Sequence, residues 1–252
     1  MTQQNTLPRD NKVKNRIGST LLFIGIFSSA TVAGLLILLT VLFSFPVAYK
    51  ISAIWCRLVL WMSKVFCGLR YEVEGLQHIN KNQAVIVLSN HQSAWETLAL
   101  RHILPTQVVL LKRSLVWLPI WGWALGSLKS IVIDRENQRT ALRILLEKGT
   151  AYLNQGLWVI IFPEGTRTAA GEIRKFSAGG ALLAQKTGYP VIPVAHNAGD
   201  YWPRYSFLKY PGTIRVKIGP VIESKGRKAA EINAEAESWI AQAIKEMQKS
   251  SR

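Results

Sequence analysis

The sequence predicts an α/β fold: a mixed sheet covered by helices, preceded by an N-terminal membrane-associated helical segment. Three observations carry this. Short β-branched runs alternate with stretches of helical periodicity, the pattern of a sheet with both faces covered. The residues with chemical potential fall just after those runs, where α/β sheets collect ligands. A stretch of 33 residues from Ile17 to Tyr49, bounded by Arg16 and Lys50, contains no charge.

The balance of the whole chain agrees with that assignment. Among 252 residues, Lys and Arg number 31 and Asp and Glu 15, a formal charge of +16. Hydrophobic residues reach 49%, charged residues only 18%, and the mean hydropathy is +0.14. That excludes intrinsic disorder, which needs low hydrophobicity and dense charge. An apolar excess combined with cations suits a membrane surface, which is apolar and anionic. A nucleic-acid partner would account for the charge and leave the apolar excess without a use. The two cysteines, Cys56 and Cys67, make neither a disulfide framework nor a zinc site and read as reduced packing residues.

Three segments follow in order: a basic tail over 1–16, a membrane anchor with an interfacial helix over 17–70, and an α/β domain over 71–252. As one straight helix the uncharged run would measure roughly 50 Å against a hydrocarbon core of about 30 Å. It therefore predicts either a tilted spanning helix or a broken pair whose second part, Ile51–Leu69, lies along the surface. In that second part Lys50, Arg57 and Lys64 recur every seven residues, a basic stripe on an apolar helix. A core helix with three solvated cations fits the same spacing. The absence of a small-residue cleavage site before a polar start argues for a retained anchor.

Within the α/β domain, Ala84–Leu88, Val108–Leu111, Ile131–Ile133, Trp158–Phe162, Val191–Ala195 and Thr213–Ile218 read as strands. Leu142, Leu145, Leu146, Gly149 and Leu153 keep helical spacing and stop at Gly156. A second stripe runs Ile232, Ala236, Trp239, Ala243 and Met247. Its early glutamates and late lysines complement the helix dipole.

Two clusters at strand ends could do chemistry. The first strand empties into Ser89-Asn90-His91-Gln92-Ser93-Ala94-Trp95-Glu96. On one regular helix His91 and Glu96 would stand about 140° apart. They meet only if His91 sits on the elbow and Glu96 in the first helical turn. The carboxylate would then fix the imidazole tautomer, leaving the other nitrogen to take a proton. The same residues also read as a helix-capping box, with Ser93 as N-cap and Glu96 reaching back. The second cluster is Phe162-Pro163-Glu164-Gly165-Thr166-Arg167. Its Pro-Gly turn can gather backbone N–H groups on an anion, and Arg167 offers a planar fork for phosphate oxygens; a plain surface turn is the alternative. Lys112-Arg113 and Asp134-Arg135 also close strands, and His196 follows another as a packed or exposed bystander. No G-x-S-x-G, G-x-x-x-x-G-K-[ST] or H-E-x-x-H motif occurs, which removes three common enzyme classes.

In this order the elements resemble the glycerolipid acyltransferases, most closely those acting on 1-acylglycerol-3-phosphate, over roughly residues 80–200. Asn90-His91-Gln92-Ser93 with Glu96 resembles the family's N-H-x4-D box, with Glu in place of the usual Asp. Phe162–Arg167 reproduces its F-P-E-G-T-R box. Ile133-Asp134-Arg135 and Val191-Ile192-Pro193-Val194 resemble further boxes, and one that commonly reads K-x-E-L stands here as Lys112-Arg113-Ser114-Leu115. The resemblance implies acyl transfer from a coenzyme A or acyl carrier protein thioester to the sn-2 hydroxyl of lysophosphatidate, a step of phospholipid synthesis. It implies His91 as base and Glu96 as its partner. Glu164, Gly165, Thr166 and Arg167 would form the phosphate site, with Lys112 as a second candidate and a backbone N–H near the elbow as oxyanion donor. No resident cofactor or metal is expected, and the partners are membrane lipids, lysophosphatidate and the thioester carrier. The expected location is the cytoplasmic (inner) membrane, with the catalytic domain facing the cytoplasm. Another lysolipid acceptor, or a non-catalytic membrane tether for polyanions, would fit the composition too.

Overall fold

The computed structural model describes residues 11–249; most of the basic tail, Arg9 included, lies outside them. The uncharged run is a broken pair. Helix α1 spans Lys12–Val41 and α2 spans Phe45–Cys67. They part where Pro46 occupies the first turn of α2, a position that tolerates its missing N–H. The two run antiparallel in close contact. Trp55 Nε1 donates to Ser29 Oγ at 3.1 Å, and a Cβ on Gly18 would stand 2.2 Å from the Phe66 carbonyl oxygen, so only glycine permits that approach. Both helices are long and apolar enough to cross a membrane by length and composition.

Helix α2 serves two surfaces. Val59, Leu60, Met62 and Cys67 enter the core, while Lys50, Arg57 and Lys64 stay exposed. Both readings of the heptad spacing thus describe the same helix: one face is core, the other a solvated basic stripe. Gly68, at φ +67°, caps α2 with its N–H on the Lys64 and Ser63 carbonyls. The chain then passes directly into strand β1, Leu69–Glu74.

The sheet has seven strands: β1, β2 (Ile86–Ser89), β3 (Gln107–Lys112), β4 (Ile131–Ile133), β5 (Trp158–Ile161), β6 (Val191–His196) and β7 (Gly212–Ile218). Their spatial order is β1-β7-β6-β2-β5-β3-β4. Neighbours are parallel except β6 and β7. The sheet is mixed, as expected.

The central strands β2, β5 and β6 are buried at every position because helices cover both faces. Val85, Val87, Trp158 and Ile160 face a core shared with α2 and with α3 (Trp95–Ile103). Ile86, Leu88, Val159 and Ile161 face the opposite core, built with α5 (Gln138–Asn154), α6 (Gly179–Thr187) and α8 (Ala229–Lys249). Two short helices complete the set, α4 (Trp121–Ser127) and α7 (Ala198–Tyr201). The stripe Ile232, Ala236, Ala243 and Met247 is buried, and Gly156 follows α5 at φ +78°.

Candidate active site

Strands β2, β3, β4, β5 and β6 are mutually parallel, so their carboxyl ends open on one side. The loops after β2 and β5 lie side by side there because β2 pairs with β5. This placement follows from strand order alone.

His91 sits on the elbow between β2 and α3, four residues before the helix begins. Its Nδ1 is 2.7 Å from Glu96 Oε1. The same oxygen accepts from the backbone N–H of Gln92 at 3.0 Å and of Ser93 at 2.8 Å. Glu96 is therefore both the capping carboxylate and the partner of the imidazole. Ser93 is one step displaced from the expected cap: Ala94 holds the N-cap position, and Ser93 Oγ accepts from Trp95 N–H.

Glu96 is fully buried. Burial opposes its ionisation, but the hydrogen bonds from His91 and Ser93 outweigh that cost and hold it below the ordinary glutamate range. An ionised Glu96 accepts the Nδ1 proton of His91, so the lone pair resides on Nε2. Phe162 stacks on the imidazole at 4.3 Å with 19° between planes, fixing the ring from one side.

The loop after β5 is bonded to the elbow on both flanks of its tip. Glu164 Oε2 accepts the His91 N–H at 3.4 Å. The Thr168 N–H and Oγ1 donate to the His91 carbonyl at 2.7 and 3.2 Å. Between them Gly165 turns at φ +72°, and Arg167 stays half-exposed with no ion pair among the described residues. Two other arginines hold the loop backbone: Arg135 Nη1 donates to the Gly165 carbonyl and Arg204 Nη1 to the Arg167 carbonyl. Burial and the neighbouring Arg167 charge draw Arg135 below the ordinary guanidinium range. The loop tip therefore gathers positive charge: Glu172 pairs with Arg204 at 3.8 Å, while Arg135 and Arg167 have no ion pair among the described residues. Burial, reinforced by Glu96 and Glu172, pushes Glu164 up to about 7.

Beneath the elbow, Asn90 and His196 are locked together. Asn90 Nδ2 donates to the His196 carbonyl at 2.9 Å, and the His196 N–H donates to Asn90 Oδ1 at 3.0 Å. His196 Nδ1 accepts from the Ala198 N–H, so Nε2 carries the proton and donates to the Asn90 carbonyl at 2.9 Å. Gln92 Oε1 accepts the Gly199 N–H at 3.2 Å. Burial holds His196 below its ordinary pKa, in keeping with a neutral ring.

The structure thus brings together His91, Glu96, Glu164, Gly165, Thr166 and Arg167. Lys112 ends β3, exposed, and forms no hydrogen bond or ion pair to this loop. Sequence reasoning leaves out the roles of Arg135, Thr168 and Arg204, whose contacts to backbone carbonyls leave no mark in residue order. His196, read as a packed or exposed bystander, is packed, with its ring buried and bonded to Asn90. The elbow N–H groups of His91, Gln92 and Ser93 are all engaged by carboxylates, so an oxyanion donor near the elbow would have to be another backbone N–H. Among the described residues no group of three or more His, Cys, Asp or Glu is arranged to hold a metal.

An ionised carboxylate, a tautomer-fixed imidazole and an adjacent cationic turn define a site for activating a hydroxyl near an anionic group. The sequence profile of the acyltransferase family matches residues 70–197, which include all of these side chains, and the chain belongs to that family. It is 47% identical over 196 residues, 77% of this chain and 76% of the other, to the 1-acyl-sn-glycerol-3-phosphate acyltransferase of Pseudomonas aeruginosa. It is 32% identical over 185 residues to the 1-acyl-sn-glycerol-3-phosphate acyltransferase alpha of Mus musculus, covering 72% of this chain and 65% of that one. Its fold is similar to the crystal structure of the 1-acyl-sn-glycerophosphate acyltransferase PlsC from Thermotoga maritima. That match has a TM-score of 0.79 at 23% identity, covering 94% of this chain and 98% of that one.

Proposed function

We propose that the protein transfers a fatty acyl group from a thioester donor, coenzyme A or acyl carrier protein, to the sn-2 hydroxyl of lysophosphatidate, giving phosphatidate. The observation that carries this reading is the 2.7 Å contact of His91 Nδ1 with Glu96, beside the loop that presents Arg167. His91 Nε2 takes the hydroxyl proton as the oxygen forms its bond to the thioester carbonyl carbon. Glu96 stabilises the imidazolium, and Phe162 keeps the ring in plane. When the tetrahedral species collapses, the C–S bond breaks and the sulfur leaves with the proton returned by His91. General-base assistance of this kind is worth about 10²–10⁴-fold.

Arg167 binds the acceptor's phosphate, on a loop held by Arg135, Arg204 and Thr168. Glu164 shapes that loop through the His91 N–H and Gly165 supplies its turn; Thr166 adds a hydroxyl donor, and Lys112 is a second candidate for the phosphate. The α1–α2 hairpin associates with the cytoplasmic membrane, delivering the acceptor without full extraction into water, with the catalytic domain on the cytoplasmic side.

The test is incubation of purified protein with lysophosphatidate and each donor in turn, with mass analysis of the product. Phosphatidate should form. His91→Ala should lose nearly all turnover, and Arg167→Ala should mainly raise KM for lysophosphatidate. Acylation of a phosphate-free lysolipid that is indifferent to Arg167→Ala would replace this acceptor with another.

A further inference from the structure

The connection between β3 and α4 carries a feature that catalysis does not use. Directly after Lys112 the chain makes a 3₁₀ turn over Arg113–Trp117 and then enters α4. Its outward side chains are large and apolar: Trp117 is 72% exposed, Trp123 54%, and Leu115, Leu118 and Leu125 are exposed as well. Scattered exposed leucines are ordinary, whereas a contiguous aromatic patch marks an interaction surface.

This segment is held rigidly. A Cβ on Gly122 would stand 2.1 Å from the Leu115 carbonyl oxygen, so the turn and α4 are packed backbone to backbone. Ile120, a β-branched residue, sits at φ +62°, a conformation that costs energy and persists only where packing enforces it. What enforces it is α1. A Cβ on Gly34 would touch Ile120 Cγ2 at 2.9 Å. Trp121 Nε1 donates to Thr31 Oγ1 at 3.2 Å, and the Trp121 ring meets Phe27 edge-on at 4.8 Å. The patch is thereby continuous with the exposed apolar face of α1.

Charge selects the occupant. No acidic residue occurs between Glu96 and Asp134, while Lys112, Arg113 and Lys129 flank the segment. A second copy of this surface would set cation against cation. An anionic bilayer offers both the apolar interior and the counter-charge, and tryptophan is the side chain best suited to its interface.

We propose that residues 113–125 form a second membrane-inserting element, with Trp117 and Trp123 seated in the bilayer interface. It rests on the reading that the α1–α2 hairpin meets the same bilayer. Because it starts at the carboxyl end of β3, it brings the leaflet to the side of the sheet that carries His91.

The test compares wild type with Trp117→Ser/Trp123→Ser on two presentations of lysophosphatidate: in vesicles of zwitterionic and anionic phospholipid, and as a short-chain form below its critical micelle concentration. KM should rise about tenfold on vesicles and stay unchanged for the monomeric acceptor, with the same elution volume in size-exclusion chromatography. An unchanged vesicle KM, equal losses on both presentations, or a change of oligomeric state would overturn the proposal. An arm independent of turnover uses vesicles with brominated acyl chains. Trp117→Phe and Trp123→Phe should each remove a quenchable share of the tryptophan emission, and unaltered quenching would sink the assignment. If the acceptor is not lysophosphatidate, the quenching arm still reads the surface.

Discussion

Asn90 and His196, 106 residues apart in the chain, are joined by three hydrogen bonds, two of them a reciprocal pair between side chain and backbone. Through this bracket the carboxyl end of β6 supports the elbow that carries His91. Asn90→Leu keeps the branched shape and removes both side-chain bonds, leaving the buried N–H and carbonyl of His196 without their Asn90 partners. Stability should fall by about 2–4 kcal/mol, read as a lower denaturation midpoint at constant m-value.

The one oxygen Glu96 Oε1 accepts three bonds, from His91, Gln92 and Ser93. Glu96→Asp shortens the arm by a methylene, so the elbow built around Glu cannot keep all three. Turnover should drop about 10–100-fold with KM for the acceptor unchanged. Glu96→Gln keeps the reach and loses the charge, and the drop should approach 10²–10⁴-fold. A Glu96→Asp variant as active as wild type would mean that charge alone matters, and equal losses in both variants would mean that charge without the right reach is worth nothing.

Glu164 titrates at about 7 in the folded protein, raised from 4.5 by burial first and then by neighbouring carboxylates. A carboxyl raised in this way binds its proton more tightly when folded. Its contribution to stability is fully present below about pH 4.5 and is lost as pH rises through 7. Glu164→Gln should flatten that dependence. At pH 8 it should raise stability by roughly 1–3 kcal/mol relative to wild type, measured by thermal unfolding at pH 5 and pH 8.

Gly18 lets α1 lie against the Phe66 backbone of α2. Gly18→Ala places a methyl where a carbonyl oxygen stands, and backbone cannot yield as a side chain can. A loss of about 1–3 kcal/mol is expected, seen in detergent denaturation. A neutral result would show that the helices can separate at no cost.

The parts legible in the sequence are those whose environment repeats. Strands β2, β5 and β6 read as unbroken apolar runs because cores lie on both their faces. Strand β1 escapes that signal: Leu69, Tyr71 and Val73 alternate with Arg70, Glu72 and Glu74 at an edge with a solvated face, and the composition shift nearby masks it. The His91–Glu96 contact is legible because five residues and an elbow suffice to make it. The loop brace is not, since Arg135 and Arg204 recognise carbonyl oxygens, which every residue possesses. For His196 residue order leaves packed and exposed both open, because a buried imidazole bonded to Asn90 has the same local sequence as one bonded to nothing.

Helix α2 enters β1 through a single glycine, and β1 is paired along its length with β7. The hairpin is consequently welded to the sheet with no slack between them. A lateral or tilting force exerted by lipid is transmitted to the catalytic floor as rigid-body motion, and orientation in the leaflet becomes orientation of the imidazole. Excising the hairpin would also leave edge strand β1 covalently held from its carboxyl side alone, so anchoring and catalytic geometry were never separable modules here.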